Sequence, residues 1–148
     1  MKRKFINRPS TVDIICFSGN NQDPTGILLI KRGHEPFEGM LAFPGGFIDK
    51  ESAEQAAVRE LLEETGIHAF AKDLKLLGVY SMYDRDPRHT ISIVYTLHLS
   101  EKISPIAGDD ANAAEWVYIN DIHELAFDHM DMLKDFKEKF WYSIHLKK

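Results

Sequence analysis

The sequence predicts a single α/β domain in which a β-sheet is layered with helices. Apolar runs of strand length recur along most of the chain, and helical spacing occurs in the middle and again near the end. Strands interleaved with helices in this way are typical of a layered α/β domain. The 148 residues are enough for one domain with a substantial core and too few for two of ordinary size.

The first third of the chain is predicted to hold two strands and a long loop. Thr11–Phe17 and Gly26–Lys31 are short apolar runs separated by a cluster of turn-forming residues. The segment Arg32–Gly46 contains four glycines and two prolines, so we expect a loop there. Loops carried by a rigid scaffold often supply binding groups.

A helix is predicted over Ala53–Thr65. Ser52 and Gln55 have the spacing of a capping box at its start, and Gly66 is placed to end it in the left-handed conformation. Four residues share the face that is expected to pack on the core: Val58, Leu61, Leu62 and Thr65.

The second half of the chain is predicted to hold three strands followed by two helices. Leu76–Met82 has the composition of a strand, and alternation over Thr90–Leu99 predicts a longer, half-buried one. Trp116–Ile119 is the third. We expect a short helix at Asn120–Leu125 and a longer one over Met130–Tyr142, which carries helical spacing.

The overall composition excludes several classes of protein. With 44% hydrophobic and 28% charged residues the chain is typical of a soluble domain, and no apolar stretch approaches membrane-spanning length. The net charge of −5 argues against a nucleic-acid-coating surface, but not against a small phosphorylated ligand. Cys16 is the only cysteine, which excludes an internal disulfide and a cysteine zinc site, so we expect a cytoplasmic protein and place Cys16 in the core.

Three glutamates crowd onto one face of the predicted helix. Glu60, Glu63 and Glu64 stand at i, i+3 and i+4, where like charges repel, and only Arg59 is near enough to offset them. Convergent carboxylates are what a hard cation such as Mg²⁺ or Mn²⁺ requires. A solvated acidic face of an amphipathic helix is the other interpretation of these residues.

The loop directly before the helix favours the metal-site interpretation. Pro44 is followed by Gly45 and Gly46, and glycines let the backbone approach a ligand closely. Glu51 adds a fourth carboxylate, and Arg59 is placed to hold glutamates by ion pairing.

The complete pattern resembles the signature of the Nudix hydrolases. It runs from Gly45 through five residues to Glu51, then through seven residues to Arg59-Glu60-Leu61-Leu62-Glu63-Glu64-Thr65-Gly66-Ile67. Eight constrained positions at fixed spacing are far more specific than a lone glycine motif. The resemblance implies an α/β/α sandwich with a mixed β-sheet, and metal-dependent hydrolysis of a nucleoside diphosphate linked to another moiety.

The resemblance also implies roles for individual residues. The three helix glutamates would bind Mg²⁺ or Mn²⁺, Arg59 would orient them, and a backbone carbonyl of Gly45 or Gly46 would complete the coordination. The choice between the two glycines stays open, because the spacer between Gly46 and Glu51 is one residue shorter than in many relatives.

The proton of the attacking water would pass to one of the glutamates or to an acid on a distant loop. Asp110 is the first candidate for this catalytic role, since its spacing before Trp116 is similar to that in some relatives, and Asp109 is the second. Gly108-Asp109-Asp110 is equally the sequence of an ordinary turn.

Weaker similarity to the ADP-ribose-cleaving branch of the family extends over much of the chain. Four segments carry it: Gly33–Gly39, Arg85–Thr90, Gly108–Ala111 and Leu125–His129. It implies ADP-ribose as the substrate, hydrolysed to AMP and ribose 5-phosphate. Tyr83 stands where that branch commonly has a proline, which indicates either a direct contact with adenine or ribose or another substrate. Arg85 and Arg88 suit phosphate or ribose hydroxyls, with solvated side chains as the alternative.

Two other functions stay open from the sequence. A modified nucleoside triphosphate would use the same metal site with a different base pocket. A nucleotide-sensing regulator would usually carry a DNA-binding module, and the residues after Leu125 suffice for only about one or two helices. We therefore expect a small nucleotide as the partner, with no nucleic acid and no membrane, and leave a homodimer open. Most of the seven histidines are expected on the surface or in strands.

Overall fold

A computed structural model describes residues 3–20, 22–108 and 111–141, and within them the chain forms one mixed sheet with a helix on each face. The strands are β1 (Ser10–Ser18), β2 (Gly26–Arg32), β3 (Leu41–Ala42), β4 (Gly45–Phe47), β5 (Lys75–Tyr80), β6 (Ile91–His98) and β7 (Ala111–Tyr118). The α-helices are α1 (Ala53–Thr65) and α2 (His129–Phe136).

Strand β1 is the centre of the sheet. The principal strand order is β3-β2-β1-β6-β5, with β1 parallel to β6 over the whole length of the pairing. The end of β1 pairs with β2, while its beginning pairs antiparallel with β4, which places Gly45 opposite Asp13 and Gly46 opposite Val12. The predicted loop 32–46 therefore contains two short strands, because the glycine segment is held by backbone pairing that its own composition does not indicate.

The two faces of the sheet bury separate apolar layers. One layer packs β1 residues Val12, Ile14 and Cys16 against α1, and the other packs Ile15 against α2. Successive side chains of a strand point to opposite faces, which accounts for this division. The predicted α/β/α sandwich with a mixed sheet is confirmed, as is the core position of Cys16.

Helix α1 has the predicted bounds. The Ser52 hydroxyl accepts the Gln55 N–H at 3.1 Å, the Gln55 side chain accepts the Ser52 N–H at 2.9 Å, and Gly66 ends the helix at φ 72°. The predicted core face was partly wrong, because Leu62 is 39% exposed whereas Glu64 is only 7% exposed. The buried residues of the helix are Ala56, Ala57, Leu61, Glu64 and Thr65. Packing through the small alanines turns Glu64 inward and Leu62 outward.

The later elements differ from the prediction at their ends. Strand β7 begins earlier than expected, because pairing with β2 extends it through the alanines before Trp116. The short helix expected at 120–125 is only a 3₁₀ turn, Ile119–Asp121, and α2 continues into a π-helical turn, Lys137–Trp141. No helix in the described ranges is long and apolar enough to cross a membrane.

Candidate active site

A cavity of about 610 Å³ lies where α1, β4 and the start of β1 meet. Its remaining walls come from β2, from residues between 85 and 90, and from Phe127 and His129 at the start of α2. Small-molecule sites commonly have volumes of roughly 300–1,000 Å³. Five residues of the sequence signature line this cavity together: Gly45, Arg59, Glu60, Glu63 and Glu64.

Glu64 joins the helix to the glycine loop. Its Oε1 accepts the backbone N–H of Gly45 at 2.9 Å. Burial, together with the neighbouring Glu60 and Asp13, raises the pKa of this carboxyl to about 9, while the bond from Gly45 opposes the shift. The shift favours the protonated form of the Glu64 carboxyl.

Glu60 lies against Gly46. A Cβ atom built on Gly46 would stand 2.5 Å from the Glu60 carboxyl carbon, so only a glycine leaves room for the carboxylate here. Burial raises the pKa of Glu60, although the Arg59 guanidinium attracts its charged form. Of the two opposing effects, burial is the larger.

Arg59 is the hub of the acidic cluster. Its guanidinium makes a two-pronged contact with Glu51 at 2.8 and 2.7 Å, and it also reaches Glu60 at 2.9 Å and Glu63 at 3.3 Å. The hydrogen bonds from Arg59 lower the pKa of Glu51 to about 2. Ion pairing between Arg59 and the carboxylates, which the sequence predicted, is confirmed.

The described part of the chain contains no group of three carboxylate, histidine or cysteine side chains that is already close enough to hold a metal ion. Protein groups bind the glutamates instead, Arg59 holding Glu60 and Glu63 while Gly45 holds Glu64. The donors on this wall of the cavity are hard oxygen atoms, which fits Mg²⁺ or Mn²⁺.

Arg85 and Arg88 both line the cavity, but their side chains differ in exposure. The side chain of Arg85 is 3% exposed and forms a two-pronged ion pair with Asp128 at 2.8 and 2.9 Å. That of Arg88 is 36% exposed, pairs with Asp86 at 2.8 Å and lies over the Phe47 ring at 5.0 Å. The buried Arg85 guanidinium thus binds Asp128, whereas part of the Arg88 guanidinium is accessible from the cavity.

Tyr83 lies apart from this cluster. The Tyr83 ring stacks on His89, with 3.8 Å between ring centres, and is not among the residues that line the cavity. Asp109 and Asp110 lie outside the described residues.

Asp13 and His129 line the cavity although the sequence did not predict them as site residues. Asp13 lies on β1, and His129 is the first residue of α2; they are 8% and 1% exposed. Most histidines were expected on the surface or in strands, and His129 is an exception. The available signal was its place in Phe127-Asp128-His129, a segment that carried only family similarity.

Comparison with known proteins decides the family. Residues 7–136 match the NUDIX domain. The chain belongs to the Nudix family. This Nudix hydrolase is 50% identical over 137 residues to the ADP-ribose pyrophosphatase of Methanocaldococcus jannaschii. The match covers 90% of this chain and 76% of that relative.

Solved structures agree with this assignment of the fold. The NUDIX domain of Shewanella oneidensis NrtR, complexed with ADP ribose, matches with a TM-score of 0.82 at 30% identity and covers 91% of this chain and 90% of its own. A bifunctional NMN adenylyltransferase/ADP ribose pyrophosphatase from Francisella tularensis, complexed with AMP and a Mn ion, matches with a TM-score of 0.76 at 28% identity. That match covers 93% of this Nudix hydrolase and 43% of the longer protein.

Proposed function

We propose that this Nudix hydrolase cleaves the diphosphate linkage of ADP-ribose, giving AMP and ribose 5-phosphate. The observation that carries the proposal is the meeting of the helix glutamates and the Gly45-Gly46 strand in one cavity that also presents Arg88. The relative from M. jannaschii, named as an ADP-ribose pyrophosphatase, supports the choice of substrate. So does the ADP ribose bound to the S. oneidensis domain.

Glu60, Glu63 and Glu64 are the proposed ligands of Mg²⁺ or Mn²⁺. A bound divalent ion would neutralise diphosphate charge and lower the pKa of a water molecule. The Mn ion in the F. tularensis structure supports a divalent cation in this family. Arg59 then serves as a positioning residue, because its contacts with Glu51 and Glu60 fix the ends of the acidic cluster.

Gly45 is the proposed source of the backbone ligand. Pro44 and Ile48 direct their backbone hydrogen bonds to β1. Bonded and non-bonded residues alternate along an antiparallel pair, so Gly46 also faces β1, whereas the N–H and carbonyl of Gly45 point to the opposite edge. The Gly45 N–H accordingly reaches Glu64, and its carbonyl lies on the same side as the glutamates.

Arg88 is the proposed contact for a phosphate or a ribose hydroxyl. Its guanidinium is partly exposed, and phosphate oxygens suit the planar array of arginine donors. Arg85 would act through Asp128, by holding the segment before α2 against the cavity. The proposed adenine or ribose contact of Tyr83 has no support from the cavity lining, and it would require the ligand to extend beyond that lining.

The proton acceptor remains a proposal that mutagenesis can test. If Asp110 takes the proton from the attacking water, Asp110→Asn slows turnover more than Asp109→Asn. The reverse order would move the role to Asp109, and equal, small effects would favour an ordinary turn.

A substrate panel tests the proposed function. Values of kcat/KM are compared for ADP-ribose, NADH, diadenosine polyphosphates, and normal and oxidised deoxynucleoside triphosphates, each with Mg²⁺ and with Mn²⁺. We expect ADP-ribose to be preferred and AMP and ribose 5-phosphate to be formed in equal amounts. A triphosphate preferred by more than about tenfold, a difference of about 1.4 kcal/mol in transition-state stabilisation, would replace the substrate and leave the metal site in place. Tight binding of ADP-ribose without turnover would instead support a nucleotide-sensing regulator.

A further inference from the structure

His129 and Asp13 form a buried polar pair in the cavity wall that the proposed metal chemistry does not use. The two residues come from different layers: β1 carries Asp13, and α2 begins with His129. Both side chains line the cavity. Their closest polar atoms, His129 Nε2 and Asp13 Oδ1, are 3.5 Å apart.

The hydrogen bond to the other ring nitrogen fixes the proton of His129. The backbone N–H of Phe43 donates to Nδ1 at 3.1 Å, so Nδ1 carries no hydrogen. A neutral imidazole then carries its proton on Nε2, which makes that atom a donor. Nε2 is buried and has no hydrogen-bond acceptor among the described residues.

Asp13 supplies an acceptor beside this donor. Its Oδ2 accepts the hydroxyl of Ser92 at 2.5 Å, which fixes the carboxylate and leaves Oδ1 directed toward His129. The separation of 3.5 Å exceeds a normal hydrogen bond between nitrogen and oxygen. One oxygen atom placed within hydrogen-bond distance of both groups would complete the arrangement.

We propose that Asp13 and His129 together bind one hydroxyl group of the substrate's sugar. This inference rests on the proposed function, in which the substrate is a nucleotide linked to a sugar. A hydroxyl can accept the hydrogen of His129 Nε2 while it donates its own hydrogen to Asp13 Oδ1. Leaving a buried donor without a partner is costly, so a site of this kind favours ligands that supply the hydroxyl.

The chemistry of the pair distinguishes a hydroxyl from a phosphate. A phosphate oxygen could accept from His129, but its charge would be repelled by the carboxylate of Asp13. Arg32 and Arg88 also line the cavity and offer cationic partners to phosphate oxygens. A sugar hydroxyl is therefore expected at the Asp13–His129 pair.

The test compares ADP-ribose with analogues that each lack one sugar hydroxyl. For the wild type, we expect one analogue to lose about tenfold or more in kcat/KM, as when a hydrogen bond to a charged group is removed. His129→Asn keeps an acceptor for the Phe43 N–H but lacks the distant donor, and Asp13→Asn lacks the charged acceptor. In both variants the ratio between ADP-ribose and that analogue should fall to about threefold or less, because the partner of the missing hydroxyl is already gone.

Two further variants separate this role from a general structural one. His129→Gln places an amide donor near the position of Nε2 and should keep more of the discrimination than His129→Asn does. His123→Asn makes the same change as His129→Asn at an exposed residue and should leave the ratio unchanged. Melting temperatures of all variants identify any that fail to fold, and the Asp13 and His129 variants test the pair independently.

Three results would overturn the subsite. The wild type could tolerate the loss of every hydroxyl; its discrimination could survive in both variants; or the variants could slow all analogues equally, as expected if the pair held a water molecule. Turnover of ADP-ribose by the wild type tests the proposed function separately. If the panel identifies another nucleotide as the substrate, the same ratio is measured between that nucleotide and its deoxy counterparts.

Discussion

The Glu64 carboxyl accepts the backbone N–H of Gly45 at 2.9 Å and so joins the acidic helix to the glycine strand. This contact places a buried carboxyl beside the backbone of β4. It also explains why Glu64 is the least exposed of the three helix glutamates. A proposed metal ligand thus also has a structural role.

We predict that Glu64→Gln separates these two roles. The amide oxygen can still accept the Gly45 N–H, but a neutral amide is a poor metal ligand, so turnover should fall by about tenfold or more. The melting temperature of the metal-free variant should equal or exceed that of the wild type.

The stability difference between Glu64→Gln and the wild type should depend on pH, because the pKa of Glu64 is raised in the folded protein. Glu64 has a folded pKa of about 9 against an ordinary value of 4.5, so the folded wild type binds a proton that the unfolded chain releases. The wild type therefore loses stability progressively as the pH rises from 4.5 to about 9. The stability advantage of Glu64→Gln should grow over this range in chelator, as measured by thermal melts. A variant that is less stable at every pH would contradict this interpretation.

Arg59→Ala is predicted to lower both activity and stability. The change removes the ion pairs with Glu51, Glu60 and Glu63 and leaves their charges to repel. We expect the melting temperature to fall by roughly 2–4 °C, the shift that about 1 kcal/mol causes in a domain of this size. Arg59→Lys, the matched control, keeps the charge but not the two-pronged contact. Its activity and melting temperature should lie between those of the wild type and Arg59→Ala.

Acid should remove the stability difference between wild type and Arg59→Ala. The pKa of Glu51 is about 2 in the folded protein, below its ordinary value of 4.5, so its pairing stabilises the fold above the ordinary value. That contribution is lost as the pH falls from 4.5 toward 2. Chemical unfolding at pH 7 and at pH 3 measures the change. A difference that stays constant between the two pH values would mean that Arg59 stabilises the protein mainly through other contacts.

Local signals in the sequence were sufficient to predict α1 and its acidic cluster. The capping box, Gly66 and the spacing of the glutamates all act within the helix, so its bounds needed no tertiary information. The burial of Glu64 was not predictable in this way. Which side of α1 turns inward depends on the pairing of β4 with β1, and that pairing joins segments that are distant in the sequence.

The Asp13–His129 pair was also not predictable from local signals in the sequence. The two residues are far apart in the sequence and meet only after β1 enters the sheet and α2 packs on one face of it. Periodicity assigned Asp13 to a strand, but it did not indicate which helix its side chain would face.

Removal of divalent metal is predicted to abolish turnover without unfolding the protein. The proposed ligands are carboxylate and carbonyl oxygens, which retain partners in the metal-free protein through Arg59 and Gly45. Activity should disappear in excess chelator and return with Mg²⁺ or Mn²⁺, while the circular dichroism spectrum stays unchanged. Full turnover in excess chelator would refute the metal site.

The two adjacent glycines are predicted to fail in different ways when replaced by alanine. A Cβ on Gly45 would lie 2.1 Å from the Val12 backbone oxygen, which the sheet holds in place. Gly45→Ala should therefore lose roughly 1–3 kcal/mol of stability, as overpacking typically costs. A Cβ on Gly46 would meet only the carboxylate end of Glu60, at 2.5 Å from its carboxyl carbon, and that flexible side chain can move aside.

Gly46→Ala should consequently keep its stability within about 1 kcal/mol of the wild type while losing about tenfold or more in kcat/KM, because it displaces a proposed metal ligand. Urea unfolding and steady-state kinetics with Mn²⁺ measure the two effects. The double variant with Glu60→Gln tests the cause. If Gly46→Ala acts through Glu60, the double variant is no slower than Glu60→Gln alone by more than about twofold, since residues in contact do not contribute additively. Additive losses would show that the alanine disturbs the site by another route, and full activity of Gly46→Ala would show that catalysis does not require the position that Glu60 holds against Gly46.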